Sequence, residues 1–262
     1  MDGLHIEKMV KDKDSPWLVF LHGFGGSIKM WKRQIDFFKK KFNLCFVDLP
    51  GHGESKIGIS DKKISKFIEI ADIVVKELKE VGIEKATFLC VSLGTLVFAG
   101  ILQKYPEVIN GAVLCGAVAG VNIFLRCGLK ILNKIKVCIP YMFLMTCFSY
   151  LLLPRKGHKV SRDFFIKSGK LLGKSEFMAW FNLVVTDFNV LKNLQNVKEK
   201  ILFVMGNEDY TFIKGVKLKI SDFKNGVLKI INHCGHVCNI QKATDFNIIV
   251  EDYLERDLKL VA

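Results

Sequence analysis

The sequence predicts an α/β protein with a doubly wound, mostly parallel sheet and an inserted group of helices. Short apolar segments alternate with longer segments of helical periodicity along most of the chain. This alternation stops after residue 120 and returns near residue 200, and the segment between contains helical patterns only. With 262 residues, half of them hydrophobic, the chain is long enough to form one core of this kind.

Six segments are predicted to be buried strands, because each is short, apolar and followed by Gly, Pro or a polar residue. They are 17–22, 44–49, 86–91, 111–116, 201–206 and 226–231. Helices are predicted over 28–41, 62–81 and 93–104. We therefore expect a core formed by residues 1–120 and 196–262, with a helical cap over residues 121–195.

The charge and composition argue against a nucleic-acid partner. The net charge is +13, from 39 Lys and Arg against 26 Asp and Glu, and most of the basic residues are scattered lysines. Sequence-specific nucleic-acid binding favours clustered arginines, so no nucleic-acid partner is expected. The charge favours solubility or the attraction of anionic substrates.

The apolar segments predict no integral membrane span and a cytoplasmic location. The N-terminal residues are charged and lack the apolar region of a secretion signal. The most apolar segment, 141–153, has only 13 residues between two prolines, which is too short for a transmembrane helix. The eight cysteines lie mostly within apolar segments, which is typical of buried reduced thiols.

Ser92 lies where the predicted strand 86–91 meets the predicted helix 93–104. A serine at a sharp strand-to-helix turn is exposed as a nucleophile in the pattern G-x-S-x-G. Here Gly94 supplies the second glycine, and Cys90 occupies the position of the first. A plain helix cap is the structural alternative for a serine in this place.

Three further segments follow predicted strands and could complete a site around Ser92. The segment HGFGG would direct the backbone N–H of Phe24 toward an oxyanion, beside the N–H of Leu93. Asp209 and His236 follow the strands 201–206 and 226–231. The order Ser, Asp, His at strand ends is the order of a catalytic triad on this kind of sheet.

The motifs together resemble the α/β-hydrolase family, in its small cap-bearing branch of esterases, lactonases and carbon–carbon bond hydrolases. They are HGFGGS with Trp31, VDLPGHGES, the Ser92 turn, GNED at 206–209 and CGHVCN at 234–239. The resemblance implies that Ser92 is the nucleophile, Asp209 the triad acid and His236 the base. It also implies an oxyanion hole formed by the Phe24 and Leu93 N–H groups.

The chain departs from the family pattern at four positions: Cys90, Ile213, Gln241 and Ala243. The family commonly has a glycine at the first of these positions, a proline after the acid, and Glu and Pro after the histidine. Only Cys90 is close enough to the nucleophile to affect the chemistry directly. We expect its side chain to pack beneath the turn.

Other polar residues could also be catalytic or metal-binding, but a structural role is expected for them. Asp187, Asp222 and Glu208 compete with Asp209 for the acid role, but they fit the chain order or the motif spacing less well. His22 is expected to brace the loop that follows it, and the glycine-rich segment 48–55 to form a tight structural turn. The cluster His233, Cys234, His236 and Cys238 lacks the separated ligand pairs of a zinc site, so no metal is expected.

The resulting expectation is a serine hydrolase that cleaves a carboxylic ester of a small apolar molecule without a cofactor. Its substrate-binding residues are predicted to be Phe24, Met142, Phe143, Met145 and Phe148.

Two alternatives remain open. A carbon–carbon bond hydrolase or a menaquinone-pathway lyase would use the same triad, with cap cations such as Arg126, Arg155 or Arg162 binding a substrate carboxylate. A non-catalytic ligand-binding or signalling homologue would keep the fold and a vestigial triad. Serine at position 92 argues against an epoxide or haloalkane hydrolase, since those relatives require aspartate there.

Overall fold

The computed structural model describes residues 3–120 and 122–260, and within them seven strands form one sheet. The strands are β1 (Ile6–Met9), β2 (Trp17–Leu21), β3 (Asn43–Val47), β4 (Ala86–Val91), β5 (Ile109–Cys115), β6 (Val197–Gly206) and β7 (Phe223–Ile231). Their order is β1-β3-β2-β4-β5-β6-β7; β1 is antiparallel to β3, and the other neighbours are parallel. The predicted fold class, a mostly parallel α/β sheet, is confirmed.

Eleven α-helices lie in the same described part of the chain. They are α1 (Lys32–Phe38), α2 (Ile59–Lys62), α3 (Phe67–Glu80), α4 (Leu93–Lys104), α5 (Ile123–Ile135), α6 (Tyr141–Leu152), α7 (Lys159–Leu172), α8 (Lys174–Thr186), α9 (Ile213–Lys219), α10 (Cys238–Gln241) and α11 (Ala243–Asp252). The four helices α5 to α8, residues 123–186, lie between β5 and β6 and are called the helical insertion below.

The sheet buries apolar side chains on both faces, because alternate residues of a strand point in opposite directions. In β2, Leu18 and Phe20 belong to one cluster of buried side chains, and Val19 and Leu21 belong to the other. Helices α3 and α4 cover the face of Val19, and α1 and α11 cover the face of Phe20. Strands that are buried on both faces are therefore continuous apolar segments, and this pattern allowed the strands β2 to β7 to be predicted from the sequence.

Three elements differ from the sequence prediction. The helix predicted over 28–41 is shorter, since Ile28–Trp31 form a 3-10 turn and only Lys32–Phe38 form α1. The strand β1 was not predicted, since its residues IEKM are partly exposed and charged at a sheet edge. The helix predicted over 62–81 begins at Phe67, because Lys63 adopts a left-handed conformation with φ of 51° and ends α2. The Asp187 carboxylate accepts a hydrogen bond from the Phe67 N–H at 2.7 Å and caps α3 from a distant part of the chain.

The cysteines divide by location. Five are buried, and Cys127, Cys138 and Cys147 are exposed on the helical insertion. The expectation of buried thiols therefore fails for these three, because each lies on the solvent side of its segment. No helix in residues 3–120 and 122–260 combines the length and apolar character needed to cross a membrane.

Candidate active site

Ser92 lies at the sharp turn between β4 and α4, with a backbone φ of 50° and ψ of −109°. A non-glycine residue in this region is strained, and such strain persists where the surroundings hold it. Here the Ser92 N–H donates to the Cys115 carbonyl oxygen at 3.0 Å. Gly94 is required at the turn because a Cβ atom there would lie 2.4 Å from the Leu21 carbonyl oxygen.

Cys90 lies two residues before Ser92 and is fully buried beneath the turn. Burial raises the pKa of its thiol well above the ordinary range, so the thiolate is strongly disfavoured. Its side chain packs with the apolar cluster that also contains Leu93 and Phe98. The geometry therefore gives Cys90 a packing role in the place of the usual glycine.

The side chains of Ser92, His236 and Asp209 form one hydrogen-bonded chain. His236 Nε2 lies 2.8 Å from Ser92 Oγ, and His236 Nδ1 lies 2.7 Å from Asp209 Oδ2. Asp209 is fully buried, and its other oxygen accepts a hydrogen bond from the Phe212 N–H at 3.1 Å. The carboxylate thus favours the tautomer with a proton on Nδ1, which leaves Nε2 free to accept the serine proton.

Two residues that depart from the family pattern support this arrangement. The Ile213 N–H donates to the Asp209 carbonyl oxygen at 3.1 Å, a hydrogen bond that a proline could not make. Gln241 accepts a hydrogen bond from the Gly235 N–H at 2.8 Å and so holds the turn that carries His236. Sequence reasoning missed this role of Gln241, and only its nearness to the histidine motif pointed to it.

The backbone N–H groups of Phe24 and Leu93 lie at the turns that flank Ser92. Leu93 is the first residue of α4, and helix N-terminal N–H groups are free to bind anions. Among the described residues, neither N–H donates a hydrogen bond to a protein acceptor.

Two buried histidines hold the Phe24 turn in place. His22 Nδ1 donates to the Gly23 carbonyl oxygen at 2.8 Å, while its Nε2 accepts the Leu49 N–H at 2.9 Å. His52 Nε2 accepts the Gly25 N–H at 3.0 Å. Burial lowers the pKa of both imidazoles, that of His52 strongly, which favours the neutral form that accepts these hydrogen bonds.

The three acidic alternatives to Asp209 have other partners. Asp187 caps α3, as described above, and Asp222 pairs with Lys219. Glu208 Oε2 lies 2.8 Å from His158 Nε2, and Glu208 Oε1 lies 3.0 Å from an Arg155 nitrogen. Glu208 therefore contacts the helical insertion, while its neighbour Asp209 contacts His236.

The cysteines of the His236 turn pack into the core. Cys234 and Cys238 are fully buried in the cluster that also contains Cys115. Hydrogen bonds with Cys115 and Cys234, together with burial, raise the pKa of the Cys238 thiol well above its ordinary range. Within residues 3–120 and 122–260, no three His, Cys, Asp or Glu side chains are grouped to hold a metal ion.

Two cavities begin at Ser92. The larger has a volume of about 100 Å³, and Ser92 and Thr211 are the only polar residues among those that line it. Apolar side chains of the helical insertion close it, namely Leu125, Leu129, Phe148, Leu151, Leu152, Phe165, Phe181, Val184 and Val185. The smaller, of about 30 Å³, is lined by His236 and Ser161 among others. Both cavities therefore include Ser92 in their walls.

The predicted pocket residues separate into two groups. Phe24 and Phe148 line the larger cavity. Met145 is fully buried against Gly25 and Gly169, and Phe143 points to solvent with 62% of its surface exposed. Met142 is half-buried and lies outside both cavities. The structure therefore places these three side chains away from the two cavities, because only one side of α6 faces Ser92.

The arginines of the insertion also lie outside the two cavities around Ser92. Arg155 pairs with Glu208, and Arg162 donates to the Leu153 and Arg155 carbonyl oxygens. Arg126 lines a separate surface depression with Lys130 and Lys134. No lysine or arginine is among the described residues that line either cavity at Ser92.

Comparison with known proteins places these features in context. A family model described as alpha/beta hydrolase fold matches residues 16–132. A 2-succinyl-6-hydroxy-2,4-cyclohexadiene-1-carboxylate synthase of Citrobacter koseri is 39% identical over 80 residues, which are 30% of each chain. The match thus spans less than a third of that relative.

Two other similarities extend over nearly the whole chain. The dihydrolipoyllysine-residue acetyltransferase component of the acetoin cleaving system of Cupriavidus necator is 23% identical over 97% of this chain and 67% of its own. The structure of an esterase from Exiguobacterium antarcticum superposes with a TM-score of 0.80 at 14% identity, covering 96% of this chain and 95% of that chain. At this identity the structural similarity establishes the fold alone.

Proposed function

We propose that this chain, whose residues 16–132 match the alpha/beta hydrolase fold model, is a serine hydrolase that cleaves carboxylic esters of small apolar molecules. The observation that carries this proposal is the hydrogen-bonded chain of Ser92, His236 and Asp209 at the mouth of an apolar cavity. A nucleophile, a base and an orienting acid within hydrogen-bond distance are the parts that acyl transfer requires.

In the proposed reaction, His236 Nε2 takes the proton of Ser92 as the serine oxygen attacks the ester carbonyl carbon. Asp209 stabilises the imidazolium, and the N–H groups of Phe24 and Leu93 stabilise the negative charge on the carbonyl oxygen. His236 then gives its proton to the departing alcohol, which leaves the acyl group on Ser92. Water, deprotonated by the same histidine, attacks this acyl group and restores the free serine.

The apolar lining favours an ester over a substrate that carries a carboxylate. A carbon–carbon bond hydrolase or a lyase acting on a carboxylate would need a cation in the binding cavity. The arginines that could serve this purpose, Arg126, Arg155 and Arg162, are engaged or located elsewhere. The larger cavity therefore suits an apolar acyl group, and the smaller one a short alcohol.

Covalent labelling tests the nucleophile. A fluorophosphonate should modify Ser92 in the wild-type protein and should not label the Ser92→Ala variant. Ser175→Ala, a change of an exposed serine on α8, should be labelled like the wild type. Absence of labelling in the folded wild-type protein would favour a non-catalytic homologue.

A substrate screen tests the reaction class. Simple esters, lactones and carboxylate-bearing diketones should be compared with Ser92→Ala as the blank. Ser92→Ala should lower kcat for the esters by about 10⁴ to 10⁶ while the protein remains folded. Faster turnover of the diketones than of any ester would contradict the ester proposal and leave the nucleophile assignment intact.

A further inference from the structure

Helix α5 of the helical insertion presents large apolar side chains to solvent. Phe124 is 86% exposed and Ile131 is 62% exposed, and Ile135 lies one turn beyond. Their spacing of seven and four residues places them on one face of the helix. Val137, just after the helix, is 69% exposed. We call Phe124, Ile131 and Ile135 the outer face of α5.

The opposite side of the same helix faces the active site. Leu125 and Leu129 line the larger cavity at Ser92. Leu129 and Leu132 on this side are half-buried against the apolar core, whereas the residues of the outer face are exposed. Exposed apolar residues grouped in this way mark an interaction surface.

The charges beside the outer face all have one sign. Lys130 and Lys134 are exposed on α5, and Arg126 lies one turn before Lys130. Among the described residues, none of the three pairs with a carboxylate. The sequence from Val108 to Arg162 contains no aspartate or glutamate. This surface is therefore both apolar and basic.

We propose that the outer face of α5 docks on the surface of an anionic lipid bilayer. An amphipathic helix that carries Phe and Ile on one face and Lys or Arg at its edge lies in the plane of a membrane interface. Anionic headgroups attract the neighbouring lysines, and the net charge of +13 adds to this attraction. Docking of this kind is peripheral and needs no membrane-spanning helix.

The charge pattern favours a lipid surface over a second copy of the chain. An association of two outer faces would bring Lys130 and Lys134 of both copies together, and like charges at an interface oppose association. A bilayer containing anionic lipid supplies both the apolar environment and the opposite charge. The proposal goes beyond ester hydrolysis and does not depend on it.

Sedimentation with vesicles tests the proposal. The wild-type protein should bind vesicles of phosphatidylcholine that contain phosphatidylserine, and bind pure phosphatidylcholine at least about tenfold more weakly. High salt should weaken the binding, because the electrostatic attraction is screened. The Ser92→Ala protein should bind as the wild type does, since the test does not require catalysis.

Two double variants and one control identify the surface. Phe124→Glu with Ile131→Glu, and Lys130→Glu with Lys134→Glu, should each reduce binding to the anionic vesicles by about tenfold or more. Leu218→Glu changes a residue on α9 that is 83% exposed, next to lysines but outside the insertion, and should leave binding unchanged. Hydrolysis of a soluble ester and the thermal unfolding midpoint should stay near wild-type values in all three.

Several results would overturn the proposal. One is failure of the wild-type protein to sediment with anionic vesicles. Another is equal binding by the Phe124→Glu, Ile131→Glu variant. A third is a wild-type dimer in size-exclusion chromatography that this variant converts to a monomer, with no vesicle binding by either protein, since this would assign the surface to self-association.

Discussion

Glu208 is hydrogen bonded to His158 of the helical insertion, with Glu208 Oε2 2.8 Å from His158 Nε2. The next residue, Asp209, is bonded instead to His236. Two adjacent carboxylates therefore serve different parts of the protein, because the turn after β6 directs their side chains apart. This difference allows the two positions to be separated experimentally.

Asp209→Asn should lower kcat for ester hydrolysis by about 10⁴, because the amide no longer orients and stabilises the imidazolium. Glu208→Gln should keep kcat within about threefold and lower the free energy of unfolding by about 1–2 kcal/mol, through loss of its charged contacts with the insertion. Steady-state kinetics and urea unfolding measure the two effects. A reversal, with Glu208→Gln inactive and Asp209→Asn active, would assign the acid role to Glu208.

The Glu176 carboxylate of α8 accepts hydrogen bonds from the backbone N–H groups of Ile59 and Ser60, at 3.0 and 3.1 Å, and from the Ser60 hydroxyl. Glu176→Gln should lower the free energy of unfolding by about 1–3 kcal/mol, since charge-assisted hydrogen bonds are weakened. The exposed Glu84 provides the control, and Glu84→Gln should leave the urea midpoint unchanged. Equal stability of the two variants would argue against this contact as an anchor of the insertion.

Cys90→Gly should retain ester hydrolysis, because the thiol is buried and its raised pKa disfavours the thiolate. The variant should lose about 1–3 kcal/mol of stability, since it leaves a small cavity and places glycine within β4. Kinetics together with thermal unfolding distinguish these effects. A folded Cys90→Gly protein without activity would indicate that the thiol takes part in the chemistry.

The stability of the protein should fall with acidification below about pH 6.5, partly through His22 and His52. Burial lowers the pKa of both in the folded state, so the unfolded chain binds protons that the folded protein does not. Each histidine then lowers the free energy of unfolding by about 1.4 kcal/mol per pH unit, between its unfolded and folded pKa values. Their contribution is thus fully present above the unfolded pKa and lost as the pH falls.

Urea unfolding between pH 7.5 and 5.5 measures this slope. His52→Gln keeps an acceptor for the Gly25 N–H and removes one titrating group. For this variant, the free energy of unfolding should depend less steeply on pH than for the wild type, by the amount that one bound proton contributes. Identical slopes would show that His52 titrates normally in the folded protein.

The apolar cavity should select the acyl chain of the substrate. From acetate to hexanoate, kcat/KM should rise about fourfold for each methylene until the cavity is full, because each buried methylene contributes about 0.8 kcal/mol. Leu129→Ala enlarges the cavity and should shift the best chain length upward by about one or two carbons. Leu132→Ala, a half-buried leucine of α5 outside the cavity lining, should leave the optimum unchanged. A flat or falling series from acetate onward would contradict an acyl-binding role for the cavity.

The central strands of the sheet could be predicted because strands buried on both faces are continuous runs of apolar residues in the sequence. The edge strand β1 is not a continuous apolar segment, because its residues IEKM are partly exposed to solvent. The ends of strands could also be located, and with them Ser92, Asp209 and His236, whose side chains the structure brings within hydrogen-bond distance.

The contacts between the insertion and the core could not be predicted. Asp187 caps a helix 120 positions away along the chain, and Glu176 binds the first residues of α2, more than 110 positions away. Nothing in the local sequence of either residue specifies its partner. The positions of Met142, Phe143 and Met145 outside the two cavities could not be predicted either, because the composition of α6 indicates an apolar helix without fixing which side faces Ser92.

The helical insertion leaves the core after β5 and returns at β6, and these two strands are neighbours in the sheet. The insertion is therefore part of the crossover that joins two parallel neighbours, so its length and sequence can change without altering the pairing of any strand. The hydrogen-bonded site at Ser92 belongs to the sheet, while most of the cavity wall belongs to the insertion. In the proposed hydrolase, mutation of the insertion would therefore change substrate preference while Ser92, His236 and Asp209 stay in place.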